Sequence, residues 1–130
     1  ALTGSVPLKR ASSRSVGNCG EDKAAQFLES AGYTIIARNW RTKRGEVDII
    51  AVEKDILVFA EVKALPGGNV EMLSHELNDK KQKRIIETAQ FFLLNHREYS
   101  NSKIRFDVLA IDVPGLPSVY HIKDAFAELV

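Results

Sequence analysis

Cysteine is almost absent from this 130-residue chain: Cys19 stands alone. One thiol excludes an internal disulfide framework and the usual multi-cysteine zinc sites. With Gly20 and Glu21 beside it, Cys19 fits a reducing compartment, so a cytoplasmic setting is expected. Histidine is scarce as well. His75, His96 and His121 follow no local ligand spacing and are expected at the surface or in packing rather than on zinc. No apolar run approaches the roughly 20 residues that span a bilayer, so no membrane association is expected. The opening ALTGSVPLKRASSRSVGNCG puts its basic residues after its few apolar ones, unlike a secretory leader. Internal repeats and domain-sized linkers are lacking too. The net charge is only +1, which by itself implies no polyanionic partner.

What remains is the composition of one soluble domain, 45% hydrophobic and 27% charged, on a chain long enough to bury a core. Residues 1–18, rich in Ser, Gly and basic side chains, read as a flexible basic arm, and residues 19–130 as a single domain. From about residue 20, GEDKAAQFLESAG predicts a helix with Ala24, Phe27, Leu28 and Ala31 on its apolar stripe and Gly32 as its stop. YTIIARNWR, EVDIIAV and ILVFAEVKA predict three strands, joined by turns at TKRG and EKD. Pro66, Gly67 and Gly68 break the pattern, so LPGGNVEMLSHELND reads as a loop or lid. A long helix is expected over residues 78–97, a fourth strand at IRFDVLAIDV, a short fifth at PSVYHI, and a closing helical segment at KDAFAEL. This order predicts an α/β fold with a mixed sheet flanked by helices.

Charge is unevenly spread. Basic residues gather at Lys9, Arg10 and Arg14, at Arg38, Arg41, Lys43 and Arg44, and in KKQKR at residues 80–84. Such asymmetry suits a surface with one side able to meet a polyanion, although separately solvated charges would give the same counts.

The stretch RGEVDIIAVEKDILVFAEVKAL, residues 44–65, sets acids inside apolar strands, where an uncompensated carboxylate is costly. Side chains alternate across a strand, so Phe59, Glu61 and Lys63 share one face, and Asp48 shares a face with Ile50 and Val52. An antiparallel register placing Asp48 opposite Glu61 also sets Ile50 against Phe59 and Val52 against Leu57. Two adjacent carboxylates repel, and a divalent cation relieves that repulsion with the oxygen ligands it prefers; Mg²⁺ suits the site. The Val62 carbonyl is a further candidate ligand. Lys63 would sit beside a phosphate or an attacking water, the arrangement for metal-assisted phosphodiester hydrolysis. An edge-strand ion network, with Lys63 neutralising either acid, accounts for the same residues. Glu21, at the start of the first helix, is placed to approach the same metal or simply to favour the helix N-terminus. Glu46 shares the Asp48 face.

GNCGEDKAAQFLESAGYTIIARNWRTKRGEVDII, FAEVKA, KKQKRIIETAQFFL and RFDVLAI, in that order, resemble the landmarks of the YraN family, also called UPF0102. Its members look like predicted nucleases related to archaeal Holliday junction resolvases and to the restriction-endonuclease-like PD-(D/E)xK fold. The resemblance implies a mixed sheet flanked by helices with Mg²⁺ or Mn²⁺ at an acidic centre. It assigns metal-binding acids to Glu21, Asp48 and Glu61 and a catalytic lysine to Lys63. Glu46, Asn39 and Arg41 match further landmarks, as do Lys80 and Gln82 on the long helix and Asp107 on the later strand. From the residues themselves, Asn39 is a candidate to bind backbone near the site, Arg41 to meet phosphate or clamp Glu46, and Lys80 to contact phosphate. Asp107 is expected to pair near Arg105 or cap local backbone. The family usually carries a basic residue two positions beyond the lysine, whereas this chain has Leu65.

A metal-dependent endonuclease for DNA, with branched or structured forms as candidate substrates, is therefore the leading expectation. A catalytically inactive nucleic-acid-binding protein or assembly partner is the alternative, and a small-molecule phosphatase a weaker third. Trp40, Tyr33, Tyr99 and Tyr120 are expected to anchor the core more than to stack on bases. A homodimer is expected by analogy of fold, with Phe91 and Leu94 as candidate surface.

Overall fold

A computed structural model describes the backbone over residues 13–127 and the side chains over residues 19–127. The elements in chain order are α1 Ser13–Ser30, β1 Thr34–Thr42, β2 Gly45–Glu53, β3 Ile56–Ala64, α2 Val70–Glu76, α3 Asp79–Asn95, a 3-10 turn Arg97–Tyr99, β4 Lys103–Ile111 and β5 Val119–Phe126. The strands form one five-stranded sheet in the order β1-β2-β3-β4-β5. All neighbours are antiparallel except β3 and β4. A parallel pair needs a long crossover, and α2 with α3 supplies it.

The alternation of each strand divides the core into two layers. Ala24, Ala25 and Leu28 of α1 cover Ile49, Ala51, Val58, Ala60, Leu109 and Ile111 on one face. Ile85, Ala89 and Phe92 of α3 cover Ile50, Leu57, Phe59 and Phe106 on the other. Phe92 meets Phe59 and Trp40 edge-on and stacks on His96, so Trp40 is a packing anchor. The result is the expected mixed sheet flanked by helices, in the restriction-endonuclease-like arrangement. No described helix is long and apolar enough to cross a membrane.

Helix ends follow local chemistry. Gly32, at φ 95°, closes α1 while Gly32 and Tyr33 donate back to the Glu29 and Leu28 carbonyls. Asn69 caps α2 by accepting from the Met72 amide, and Asn78 caps α3 by accepting from that of Lys81.

Several boundaries differ from expectation. α1 opens at Ser13, so residues 13–18 of the expected arm are helical, whereas residues 1–12 lie outside the described residues. The expected lid contains α2. The long helix stops at Asn95, and Arg97 enters the 3-10 turn. The closing helical segment at KDAFAEL is corrected: Lys123 to Phe126 extend β5, and residues 128–130 lie outside the described residues. Nonlocal contacts favour the strand. Phe126 pairs with and stacks on Phe106 at 5.2 Å, while the Asp124 amide donates to Asp107 Oδ1. Phe91 and Leu94 on α3 are 50% and 70% exposed, outside the core stripe.

Asp107 is fully buried on β4 and every bond it makes is to the surrounding sheet. Arg105 grips it with Nε and Nη2, both at 2.8 Å, and also reaches the Tyr33 hydroxyl. His121 of β5 joins at 2.7 Å. Burial alone would raise the Asp107 pKa, but the bonds from His121, Arg105 and the Asp124 amide outweigh it and hold the carboxyl below its usual range. A depressed folded pKa contributes stability above the unfolded pKa of about 4, and that stability is lost as pH falls through the lower folded value. Asp107→Asn is expected to lower stability at neutral pH by about 2 to 4 kcal/mol, because it leaves the Arg105 charge short of its partner. It is also expected to flatten the acid limb of stability against pH, measured by urea unfolding at several pH values.

Candidate active site

The β2–β3 register is the expected one: Ile50 pairs with Phe59, Val52 with Leu57 and Ile49 with Ala60. The described pairing stops there, one step short of Asp48 and Glu61. Strand alternation also changes at this point. Val47 joins the same buried cluster as Ile50, three residues on, whereas an unbroken strand would send them to opposite faces. Across from Asp48, between the pairs Arg38–Ile49 and Trp40–Val47, lies Asn39 with φ 53°. Asparagine tolerates this left-handed conformation better than most residues.

With the ladder ended, the Asp48 carboxylate takes over from a backbone acceptor: its Oδ2 receives the Val62 N–H at 2.8 Å. Asp48 is 8% exposed and Glu61 5%. Burial, followed by the charge of Glu61, pushes the Asp48 carboxyl up to about 8; the Val62 amide opposes the rise, while a hydrogen bond with Glu61 and the charge of Glu21 add to it. The two acids thus behave as an adjacent pair that resists double ionisation.

Both open onto a cavity of about 380 Å³, lined also by Glu21, Glu46, Val62, Lys63, Lys81 and Arg84. Glu21 arrives there because α1 runs unusually close to β3 at Gly20, where a Cβ would stand 3.3 Å from that of Ala64. Its Oε1 is buried without a hydrogen-bond partner; Arg38 Nη2 is 3.6 Å away. Lys81 Nζ lies 3.0 Å from Glu61 Oε2. Burial disfavours that ammonium, but Glu61 outweighs burial and raises its pKa. Lys63, also on the cavity wall, pairs with Glu76 of α2 at 3.1 Å rather than with either buried acid.

The expected residues therefore divide. Glu21, Asp48, Glu61, Val62, Lys63 and Glu46 line one cavity, with Val62 engaged there through its amide. Arg41 clamps Glu46 at 2.9 Å. Asn39 is exposed on β1. Lys80 is exposed and does not line this cavity. Gln82 is turned to the Leu77 carbonyl, tying α3 to the end of α2. Asp107 sits in its own network with Arg105 and His121. The packing role expected of His121 is thus a polar one.

Lys81, Arg84, Glu76 and Arg38 were not among the expected site residues. Lys81 carried a signal, because it continues the buried Ile85–Ala89–Phe92 face one turn toward the helix start.

Such a sheet, with paired acids at a strand-ladder end, defines a restriction-endonuclease-like α/β protein. The chain belongs to the uncharacterised protein family UPF0102, whose model matches residues 20–111. The UPF0102 protein of Treponema denticola is 43% identical over 125 residues, spanning 88% of this chain and 96% of its own. That of Rhodococcus opacus is 44% identical over 115 residues, 85% of this chain and 95% of its own. A third, from Persephonella marina, is 38% identical over 110 residues, 85% of this chain and 91% of its own.

Among the described residues, no group of three or more His, Cys, Asp or Glu side chains is spaced to hold a metal ion. The chemistry of the donors nevertheless suits a divalent cation. Two buried carboxyls, one raised to about 8, and a third with an unpartnered buried oxygen are all relieved by added positive charge.

A raised carboxyl pKa has the opposite linkage to that of Asp107. Its contribution is most favourable below the unfolded value near 4 and declines as pH rises toward 8. Asp48→Asn keeps an oxygen for the Val62 amide and removes the charge. Without divalent ions it is expected to gain about 1 to 3 kcal/mol over wild type on going from pH 4 to pH 8, read by urea unfolding. An equal pH profile for the two proteins would show that Asp48 carries no such penalty.

Proposed function

We propose that this protein is a metal-dependent endonuclease that hydrolyses phosphodiester bonds in DNA, with branched or structured duplexes among its substrates. One observation carries the proposal: Asp48 and Glu61 are buried side by side at the end of the β2–β3 ladder, on a cavity also lined by Lys63 and Lys81. A structural ion pair needs one acid and one base, whereas here burial, and after it the neighbouring Glu61, raises the Asp48 pKa and invites a cation.

Asp48 and Glu61 would hold Mg²⁺ or Mn²⁺, with Glu21 contributing from α1 and the Val62 carbonyl a further candidate. The bound ion would supply Lewis acidity to a phosphoryl oxygen and lower the pKa of a water. The Val62 amide fixes the orientation of Asp48. Lys63 is the candidate to stabilise charge gathering on the phosphoryl oxygens, and Glu76 holds its ammonium at the cavity wall until an anion competes for it. Lys81 balances Glu61 and, on the same wall, is a second cation for phosphate. Arg41 keeps the Glu46 carboxylate at the rim compensated.

Nucleic-acid binding without hydrolysis is the second proposal, favoured by the lack of a three-ligand cluster among the described residues. Single-turnover assays on duplex, nicked, flap and four-way DNA with Mg²⁺ or Mn²⁺ separate the two. Wild type is expected to cleave at least one substrate. Asp48→Asn, Glu61→Gln and Lys63→Ala are expected to lose roughly 10²-fold or more in rate with DNA affinity largely kept. Binding with no metal-dependent cleavage of any substrate would favour the second proposal.

A further inference from the structure

We infer that the β1–β2 hairpin and the first turns of α3 form a separate site for a neighbouring backbone phosphate of the nucleic-acid strand whose scissile bond lies at Asp48 and Glu61; this rests on the proposed nuclease function. Next to the acidic cavity lies a second cavity of about 400 Å³ lined by Arg41, Thr42, Lys43, Arg44, Gly45, Glu46 and Arg84. The two share Gly45, Glu46 and Arg84, so a strand leaving one enters the other.

Their charges contrast. The acidic cavity sets four carboxylates against Lys63, Lys81 and Arg84. The second sets four cations against Glu46 alone, and Arg41 already holds that carboxylate at 2.9 Å. Lys43 and Arg84 have no carboxylate partner among the described residues, and Arg44 only approaches Glu87 at 3.9 Å. Elsewhere on the cavity walls the lysines are paired, Lys63 with Glu76 and Lys81 with Glu61. Unspent positive charge is therefore concentrated at the hairpin.

The cations are also held in place from beneath. A Cβ on Gly45 would lie 3.2 Å from Thr88 Oγ1 and 3.6 Å from Arg84 Cβ, so the turn end of the hairpin rests directly on α3. Thr88 is fully buried and donates its hydroxyl to the Arg84 carbonyl at 2.8 Å. At the tip, the Thr42 hydroxyl accepts from the Arg44 amide at 3.1 Å. Two elements distant in sequence thus present Lys43 and Arg84 to one cavity with little backbone freedom left to lose on binding. A phosphodiester takes such point charges without regard to base, so the site contributes affinity and registers the strand rather than reading sequence.

The test measures DNA binding in a divalent-free buffer, by fluorescence anisotropy of a labelled duplex over a range of salt. Lys43→Gln/Arg84→Gln changes only exposed side chains, and Lys123→Gln on β5, at the opposite edge of the sheet, is the control. The double variant is expected to bind roughly tenfold more weakly and to lose about 0.9 units of the slope of log affinity against log salt, the loss that goes with one phosphate contact. The control is expected to keep both. Wild-type binding with unchanged slope in the folded double variant overturns the hairpin site and leaves the proposed nuclease standing. An equal loss in the control overturns it too, because charge anywhere would then suffice. Wild type that binds no DNA at any salt overturns both proposals.

Discussion

The structure turns on the burial of a second carboxylate beside a first where strand pairing ends. Regular pairing of β2 and β3 is described as far as Ile49 and Ala60, and the Asp48 side chain then accepts the Val62 amide. That one bond aligns Asp48 in a position where Glu61 opposes its ionisation. The close approach of α1 at Gly20, which delivers Glu21, and the docking of α3, which delivers Lys81, both converge on the same point. Moving α1 away would relieve part of the charge repulsion but open an apolar layer, and moving α3 away would take Lys81 from Glu61.

Asp107 provides an internal comparison. It is as deeply buried as Asp48 and lies on a neighbouring part of the sheet, yet its pKa moves the other way. Arg105, His121 and a backbone amide meet Asp107, whereas Asp48 has one amide and two acids around it. Burial penalises the charge of both; partners decide the sign. The acid with its bonds satisfied locks β4 to β5, and the acid left in surplus is the one open to a ligand.

The hairpin carrying Asp48 and Glu61 was legible in the sequence as the register that chemistry favours, with Ile50 against Phe59, Val52 against Leu57 and a short polar turn at EKD, although pattern alone left a slipped register with a bulge open. The stop of α1 at Gly32 and the start of the long helix at Asn78 were also local signals. Lys81 was concealed within KKQKR, where four of five residues are basic and only helix phase distinguishes the one facing the sheet. Extending the Ile85–Ala89–Phe92 stripe backward reaches Lys81, not Lys80. The Lys63–Glu76 pair was beyond reach, since it depends on how α2 folds back after Pro66 and Gly67. KDAFAEL misled for a related reason: its local pattern suits a helix, but Asp107 and Phe106, far away in the chain, hold Lys123 to Phe126 extended.

If the paired acids form a cation site, binding must depend on them and not on buried acidity in general. Isothermal titration with Mn²⁺ at neutral pH, on wild type and on folded Asp48→Asn, Glu61→Gln and Asp107→Asn proteins, measures this directly. Wild type and Asp107→Asn are expected to take up the ion, and the other two to lose at least tenfold in affinity. Wild type that binds no Mn²⁺, even with DNA present, or Asp48→Asn that binds it unchanged, would contradict the account.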